Sequence, residues 1–467
     1  MASALPRDRG LPAAGTALSA GLPAAWRRAL LAPIDVAPIV VFRIAFGVCL
    51  GCEVVRYFAH GWIRRYWIEP AFHFTYYGFG WVRPWPGAGM YVHVGALGVL
   101  AMCIAVGYRY RLASALFFVG FAYVFLLDEA RYLNHFYLIT LLAFLLVFVP
   151  GERAASIDAR RDPSIARGTA PAWTLWLLRA QVAIAYVYAG IAKINPDWLA
   201  GEPMRARLAR RTAYPVVGRW FTDERVVWGF TYGGLVVDLA VVPLLLWRRT
   251  RPLGFALAVS FHLMNATLFD IGIFPWLMLG ATLLFLPPPA LRPVLARAGI
   301  DLPAPTPAVE PPPPRVVTAT LAVYLLLQLV VPLRHFVYPG NVDWTEEGHR
   351  FSWHMMLRDK DADVRFVVSD AERTWEVEPE DYVAGFQAEE MPSRPDMILQ
   401  LAHHIADDLR AKGHRDVHVR ARAWASLNGR PRQLLIDPSV DLAAEPRTLR
   451  HARWIRPLTV PLPGAGG

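Results

Sequence analysis

From position 173 to position 198 the chain reads WTLWLLRAQVAIAYVYAGIAKINPDW, an apolar stretch that ends in a lysine and a short polar segment. About 20 apolar residues let a helix cross the hydrocarbon core of a bilayer, so this stretch predicts a transmembrane helix. Other runs of the chain share this character. The predicted spans cover residues 36–54, 90–107, 112–127, 136–150, 173–192, 227–247, 252–269, 271–287 and 316–333. The sequence therefore predicts a polytopic α-helical membrane bundle of about eight or nine spans.

The overall composition is also typical of a membrane protein, since 55% of the residues are hydrophobic and 12% are aromatic. We interpret the net charge of +10 as attraction to the surface of the lipid bilayer. The chain lacks the basic and aromatic pattern of nucleic-acid-binding proteins, so the sequence excludes a nucleic-acid partner. Residues 199–226 alternate arginines with apolar side chains, which predicts an amphipathic helix in the membrane interface.

The last third of the chain has the pattern of a folded domain outside the membrane. Apolar residues alternate with a period of two over 364–368 and 416–424, which predicts strands. Asn428-Gly429 predicts a hairpin after the second strand. Residues 395–410 are apolar at helical spacing, so they predict a helix between the strands. The sequence therefore predicts a C-terminal α+β extramembrane domain.

Three domains follow from these patterns. Residues 1–30 are rich in Ala, Gly, Pro and Arg and predict a disordered cytoplasmic tail, not a signal peptide. The transmembrane helical domain extends over 31–333 and contains a Pro-rich segment at about 288–315, which predicts an extended linker. The extracytoplasmic α+β domain covers 334–467.

Basic residues in short loops predict the orientation of the bundle. With nine spans, the arginine-containing loops at 109–111 and 248–251 lie on the same side as the amino terminus. The positive-inside rule places that side in the cytoplasm. The bias toward arginine and alanine indicates a bacterium with a GC-rich genome. We therefore expect a bacterial inner-membrane protein with its C-terminal domain in the periplasm.

The three cysteines, Cys49, Cys52 and Cys103, all lie in predicted spans. The C-terminal domain therefore has no disulfide of its own. A paired-cysteine metal site is excluded as well, because no second cysteine pair exists. The sequence therefore predicts no metal ligands.

Lys193 is one of only three lysines among 48 basic residues. Arginine stays protonated in proteins, whereas a desolvated lysine can lose its proton and act as a base. We therefore predict that Lys193 is a catalytic base, desolvated by Ile191, Ile194 and Trp198. The alternative is a lysine that extends from the helix end to the membrane surface.

Polar residues at membrane depth need partners and indicate a site. Asn134 and His135 begin the fourth run, and His262 and Asn265 share one helix face in the seventh. A single helical histidine is more often a buried residue bonded to a nearby carbonyl. Together with Lys193, however, these residues predict a pocket for a lipophilic ligand that carries oxygen atoms.

Two arginines lie in or near predicted spans, where an unpaired guanidinium is costly. Arg43 and Arg179 are each expected to face the interior and to meet a carboxylate or a carbonyl. Asp238, inside the sixth run, is the candidate carboxylate.

An ordered set of motifs gives the chain a family resemblance. The motifs are Pro33–Asp35, Val41–Gly47, Tyr123–Asp128, Leu133–Tyr137, Leu178–Gln181, Ala189–Lys193, Asp197-Trp198, Phe261–Asn265, Leu268-Phe269, Ile271-Gly272, His335-Phe336, Asp343–Thr345, Ser352–Met356 and Ile436–Asp441. In this order they resemble vitamin K-dependent gamma-glutamyl carboxylase and related bacterial membrane proteins. The similarity covers residues 33–460, nearly the whole chain.

The resemblance implies a reaction and a set of roles. Lys193 matches the lysine that deprotonates vitamin K hydroquinone, and Asn134 and His135 match active-site residues beside it. His262 matches a histidine that lines the hydroquinone site, with Asn265 on the same helix face. Oxygen then converts the hydroquinone to its epoxide through a strongly basic alkoxide, which removes a glutamyl gamma proton before carbon dioxide adds. Reduced vitamin K, oxygen and carbon dioxide are thus the implied cofactor and co-substrates.

The implied partner is a protein or peptide that contains glutamyl residues. Trp353, Met355 and Met356 match the stretch that the family uses near this substrate, with core packing as the alternative. A different class of function is also open: a quinone-binding or transport membrane protein of the same fold that lacks the chemistry. The presence of Lys193, His135 and Asn134 favours the enzyme.

Overall fold

The computed structural model describes residues 24–306 and 311–463. Most of the predicted tail, residues 1–23, lies outside the described residues, and its last part belongs to a first helix. The helices up to residue 330 are α1 (Ala24–Leu31), α2 (Ala37–Ala59), α3 (Gly89–Val106), α4 (Tyr110–Leu126), α5 (Asn134–Leu146), α6 (Ile157–Arg161), α7 (Ala172–Ala192), α8 (Pro196–Leu199), α9 (Met204–Ala209), α10 (Glu224–Leu246), α11 (Arg251–Leu268), α12 (Phe274–Thr282), α13 (Pro288–Arg297) and α14 (Arg315–Val330). Two short strands, β1 (Pro33–Asp35) and β2 (Thr169–Pro171), pair antiparallel between them.

Each predicted apolar run lies on one of these helices, but the predicted number of spans is not confirmed. Within the described residues, five helical stretches are long and apolar enough to cross a membrane: α2, α3, α7, α10 and Arg315–Val337. A sixth is possible if Phe274–Phe285 and Pro288–Arg297, which meet at 117°, form one broken span. Two further apolar helices, α4 and α5, have only 17 and 13 residues. The protein is therefore a mostly helical membrane protein with five or six candidate spans.

The helices pack closely where small residues remove side-chain bulk. In the bundle α2 packs against α3 and α12, and α10 packs against α7 and α11. At Gly47 of α2, a Cβ atom would lie 2.4 Å from the carbonyl oxygen of Ala101 and 2.7 Å from the Cβ atom of Ala105. Only glycine therefore permits this approach of α2 and α3.

Backbone carbonyls, and not Asp238, accept the hydrogen bonds of the two intramembrane arginines. Arg43 is fully buried and donates to the carbonyls of Gly151 and Ala155, both at 2.6 Å. Arg179 donates to the carbonyl of Leu284 at 2.9 Å. Carbonyls near helix ends have no partner inside the helix, so they can accept from a buried guanidinium. Of the two kinds of partner expected, both arginines have the carbonyl, and the candidate carboxylate Asp238 accepts from Lys193 instead.

The Pro-rich segment begins as a helix and not as an extended linker. Pro288 and Pro289 occupy the first turn of α13, where a missing N–H costs nothing and the fixed φ suits a helix. Leu291 and Leu295 pack in a small cluster with Ala37. Of the linker expected at about 288–315, the part at 288–297 is therefore helical and belongs to the packed structure.

The C-terminal domain is a four-stranded antiparallel sheet covered by a helix. Its helices are α15 (Val342–Thr345), α16 (Gly385–Glu390) and α17 (Pro395–Ala411), and its strands are β3 (Lys360–Ser369), β4 (Thr374–Val377), β5 (His418–Leu427) and β6 (Gln433–Leu434). The strand order is β4-β3-β5-β6. α17 packs on the sheet through buried residues that include Ile398, Leu401 and Ile405.

The predicted strands, helix and hairpin of this domain are confirmed. Trp424 of β5 pairs with Leu434 of β6. Asn428 and Gly429 between them have φ values of 54° and 77°, as a tight hairpin requires. The helix ends at Ala411, and Gly413 follows with a positive φ of 94°. Strand β4 was not predicted, because an alternation of only four residues is a weak signal.

Buried polar contacts hold the C-terminal domain against the bundle. The carboxylate of Asp197 in α8 accepts two hydrogen bonds from Arg430, at 2.6 and 2.7 Å, and one from Asn428 at 2.8 Å. Such a two-pronged arginine–carboxylate contact fixes orientation as well as distance. Since Asn428 begins the β5–β6 turn, this turn of the sheet is attached directly to the end of the bundle.

The segment 199–226 forms short helices and turns, not one amphipathic helix. Two of its arginines pair with acidic residues: Arg205 binds Glu202 and Glu224, and Arg210 binds Asp359 of the C-terminal domain. The expectation of a helix lying in the membrane interface was therefore wrong, because this segment joins the two domains.

We predict that Gly47→Ala destabilises the protein, because the new methyl group meets the backbone of α3. Overpacking of this kind costs about 1–3 kcal/mol. The measurement is chemical unfolding of the protein in detergent. Gly233→Ala, on α10, is the control because a Cβ atom there meets nothing within 4 Å. Equal stability of the two variants would contradict the close contact of α2 and α3.

Candidate active site

A cavity of about 680 Å³ lies within the bundle at the end that contacts the C-terminal domain. Side chains from α2, α5, α7, α10, α11 and α12 line it, together with the segment that leads into β3. The predicted site residues in the lining are Asn134, His135, Lys193, His262, Asn265, Met355 and Met356. Residues that are far apart in the chain thus meet in one cavity.

The Lys193 side chain turns inward at the end of α7. Its Nζ atom donates to Oδ2 of Asp238 on α10 at 2.6 Å and approaches the carbonyl of Ala189 at 3.4 Å. The amine also lies 5.0 Å from the centre of a Trp198 ring. Only 5% of Lys193 is exposed. This geometry differs from a lysine that extends to the membrane surface.

Two of the residues expected to desolvate Lys193 do not contribute. Ile191 and Ile194 are 40% and 59% exposed, since they point away from the cavity. Trp198, at 1% exposure, does cover the amine. Helix α7 ends at Ala192, so the chain direction changes there and the neighbours of Lys193 in sequence are not its neighbours in space.

The pairing with Asp238 has a chemical consequence. A buried carboxylate beside an amine orients it and stabilises the ammonium form that results when the amine accepts a proton. Removal of one partner would leave an uncompensated charge in a low-dielectric site. Lys193 and Asp238 therefore act as one unit that can accept, hold and return a proton.

His262 is held by a residue that the sequence analysis missed. Its Nε2 atom is 2.6 Å from the hydroxyl of Tyr186, which also lines the cavity. Its Nδ1 atom is buried and has no hydrogen-bond partner in the described part of the chain. Tyr186 lies two helical turns before Lys193 on α7, so a seven-residue spacing on one helix face was the available signal.

His135 lies across the cavity lining from the α11 residues. The rings of His135 and His262 both approach Phe274, at centroid distances of 6.1 and 5.9 Å. Asn134, beside His135, accepts from the Tyr132 hydroxyl at 3.1 Å. The two imidazoles therefore flank one aromatic ring inside an apolar environment.

Asn134 also connects the bundle to the C-terminal domain. Its Nδ2 atom donates to the carbonyl of His354 at 3.2 Å. This contact holds the segment that contributes Met355 and Met356 to the cavity. The side chain of Trp353, in contrast, is fully buried and packs on Tyr137 with ring centroids 5.1 Å apart. Within the described residues, Trp353 is not part of the cavity lining.

Charged residues at the end of α2 and before α5 also line the cavity. Arg56 donates to Glu53 at 2.6 Å, one helical turn away. The guanidinium of Arg131 lies 3.9 Å from the centre of the Tyr66 ring, and its buried Nε has no partner among the residues described. Glu53 and Arg56 are opposite charges one helical turn apart at the end of an apolar run, and this pattern could have identified them from the sequence.

The fold and the cavity define a class of protein: an integral membrane protein whose intramembrane cavity is covered by an α+β domain. Residues 31–289 match the family model for the HTTM domain. Residues 313–460 match the model for the vitamin K-dependent gamma-carboxylase, lumenal domain. The chain therefore belongs to the HTTM-domain family related to vitamin K-dependent gamma-carboxylase, and the resemblance predicted from its motifs is confirmed. No solved structure matches the chain.

We predict that Lys193 and Asp238 are energetically coupled. Lys193→Met or Asp238→Leu alone should lower the free energy of unfolding by about 3–5 kcal/mol, because each leaves a buried charge unpaired. The double variant should lose less than the sum of the two. The measurement is a double-mutant cycle of chemical unfolding in detergent.

The control cycle uses Lys412 and Asp408, which are 2.7 Å apart but lie at the surface, at the end of α17. Exposed pairs at this spacing couple by only about 0.3–0.5 kcal/mol. Additive losses at both pairs would show that the buried contact does not form.

Proposed function

We propose that this protein is a vitamin K-dependent gamma-carboxylase-like enzyme. It would oxidise reduced vitamin K to its epoxide and use the strong base so formed to carboxylate glutamyl residues. The buried pair of Lys193 and Asp238, inside a cavity shared with His135 and His262, is the observation that supports this function best. Membership of the gamma-carboxylase family is the second support.

The cavity suits an aromatic ligand with oxygen atoms at its edges. Its volume of about 680 Å³ is in the range of sites for small organic molecules. Phe261, Phe274 and Met278 supply apolar walls, and polar and charged side chains line other parts of the cavity. A ring held between such walls would present its oxygens to Lys193 and His262.

Lys193 would accept the proton of a hydroquinone hydroxyl. Asp238 would stabilise the resulting ammonium, which raises the tendency of the amine to take that proton. When bound, reduced vitamin K with oxygen supplies a base far stronger than any side chain. Lys193 and Asp238 therefore need only remove the proton of the hydroquinone hydroxyl and return it after the reaction.

The two histidines have different proposed roles. The hydroxyl of Tyr186 fixes the ring of His262, so that its free Nδ1 atom can bind an oxygen of the ligand. His135 would stabilise negative charge as it forms, from its place in the first turn of α5. The amino terminus of a helix carries partial positive charge, which adds to this effect.

Water must be excluded from a site that holds a strong base. Met355 and Met356 contribute to the wall of the cavity from the C-terminal domain, and Asn134 holds that segment in place. Lys193, covered by Trp198 and paired with Asp238, is nearly inaccessible to solvent. The domain outside the bundle is therefore part of the proposed active site.

Arg56 and Arg131 are the proposed contacts of the glutamyl carboxylate. Both line the cavity, and Arg131 has a buried N–H without a partner in the part of the chain described. A guanidinium matches the geometry of a carboxylate and can bind it through two hydrogen bonds. For location, we propose the inner membrane of a bacterium with the C-terminal domain in the periplasm.

We predict that Lys193→Ala lowers epoxide formation from reduced vitamin K by about 10²-fold or more, because the proton acceptor is lost. Epoxide is measured by chromatography with the purified protein in detergent. Lys412→Ala is the control, since Lys412 is exposed. Lys360 is unsuitable because its side chain is 2% exposed and burial lowers the pKa of its amine.

Small primary amines added to Lys193→Ala should restore part of the activity, because they can occupy the vacated space. Full activity of Lys193→Ala without added amine would contradict the assignment of the base. Binding of reduced vitamin K by the wild-type protein without any epoxide would favour the quinone-binding alternative.

A separate prediction concerns the glutamyl substrate. Arg131→Gln should raise the KM for a glutamyl peptide about tenfold or more, since charged hydrogen bonds contribute about 1.5–3 kcal/mol. Epoxide formation without peptide should be unchanged. Arg64→Gln is the control because Arg64 is exposed and pairs with Glu69. Carboxylation is followed with labelled bicarbonate, and an unchanged KM in Arg131→Gln would contradict the proposed contact.

A further inference from the structure

The segment that leads to Met355 and Met356 has an unusual backbone. Among the described residues, nine residues other than glycine have positive φ, and four of them lie between positions 346 and 356. They are Glu346, Phe351, Trp353 and Met356, with φ from 59° to 65°. Each such residue costs roughly 1–3 kcal/mol, so the conformation persists only where neighbouring groups hold it.

Three side chains converge at the start of this segment. Asp343 in α15, His349 and His354 are 5%, 7% and 6% exposed. Oδ1 of Asp343 is 3.4 Å from Nδ1 of His354 and 3.9 Å from Nε2 of His349. One ligand atom from each of the three residues lies within 4.8 Å of the other two.

Hydrogen bonds within the protein do not satisfy this cluster. Nδ1 of His354 meets Asp343 only at 3.4 Å, beyond the usual length of a hydrogen bond, and the other ring nitrogen, Nε2, is buried with no partner in the described part of the chain. The carboxylate oxygens nearest to His349 are at 3.7 and 3.9 Å, beyond the length of a good hydrogen bond. Buried polar groups without partners are rare in folded proteins, so their presence points to a missing ligand.

We propose that Asp343, His349 and His354 bind a structural Zn²⁺ ion. Imidazole nitrogens and carboxylate oxygens are ligands that zinc prefers, with bonds of about 2.0–2.2 Å. In a tetrahedral site, ligand atoms at such distances lie about 3.3–3.5 Å from one another. The 3.4 Å separation between Asp343 and Nδ1 of His354 already matches this spacing. The separation of 3.9 Å from Asp343 to His349, and the one between the two histidines, which is at most 4.8 Å, require the side chains to move closer around the ion.

The surrounding residues fit this assignment. Glu346 lies 3.7 Å from the second ring nitrogen of His349, where it would orient the ring as carboxylates do behind zinc-bound histidines. Arg358 pairs with Glu346, which leaves Asp343 as the carboxylate for the metal. The ring of His335 lies 4.7 Å from that of His354 and is the nearest further nitrogen donor.

The position of the three ligands, outside the cavity, indicates a structural role for the ion. Among the described residues, none of the three ligands lines the 680 Å³ cavity, so the ion would not meet the substrate. A structural zinc site is closed by four protein ligands, and the ring of His335 beside His354 is the candidate for the fourth. The ion would connect α15 to the strained segment and so fix the wall that Met355 and Met356 provide.

Gly348 makes the close approach possible. It has a φ of 77°, and a Cβ atom there would lie 2.7 Å from Cα of His335. Any larger residue would separate the loop that carries His349 from the helical turn that carries His335. The glycine therefore brings the proposed ligands and the fourth donor together.

The test measures metal in the full-length protein, purified in detergent with any affinity tag removed. We expect about one zinc per chain by mass spectrometry of the elements. Chelation should remove it and lower the unfolding midpoint by several degrees, and added Zn²⁺ should restore both. Cobalt in place of zinc should give the visible absorption of a tetrahedral site.

The double variant His349→Gln/His354→Gln should lose the metal and the cobalt absorption, whereas His418→Gln, on the exposed side of β5, should keep both. Wild-type protein with no bound metal, and no change in midpoint on adding Zn²⁺, would overturn the proposal. Stoichiometric iron, or equal cobalt absorption in the double variant, would also overturn it. Metal content is independent of epoxide formation, so the result does not depend on the proposed enzyme activity.

Discussion

The buried contact between Lys193 and Asp238 is the constraint on which the cavity depends. An amine and a carboxyl group inside a membrane bundle each need a polar partner, so α7 and α10 must place Lys193 and Asp238 within hydrogen-bond distance. The same contact keeps the amine away from solvent and faces it toward an apolar space. Stability and chemistry therefore impose the same requirement on these two helices.

Other polar groups are arranged around this pair so that the remaining bundle can stay apolar. Arg43 uses free carbonyls at helix ends, and Tyr186 occupies one nitrogen of His262. At the extramembrane end, Asp197 binds Arg430 of the C-terminal domain. The site thus lies where membrane helices, connecting segments and the C-terminal domain meet, which is where water can be excluded and a polar substrate can still approach.

The sequence predicted the elements better than it predicted their contacts. Period-two alternation and Asn428-Gly429 identified the strands and the hairpin, because local backbone preferences determine both. Lys193 was found through the near absence of other lysines. Asp238, the partner of Lys193, was instead expected to pair with Arg43 or Arg179, because the sequence of a helix does not show how the helix is rotated about its axis. The helix at 288–297 was missed because proline both ends and begins helices. Trp353 was placed near the substrate by a family motif, but a motif does not reveal which way a side chain points.

The lining of the cavity includes Glu53 near the beginning of the chain and Met356 far beyond the last membrane helix. Neither the bundle nor the C-terminal domain encloses the space alone. The two parts are therefore not interchangeable modules. Without the C-terminal domain the chain would still carry Lys193, but the cavity would lack the part of its wall that Met355 and Met356 form. A change in the shape of this cavity can therefore arise from substitutions in either region.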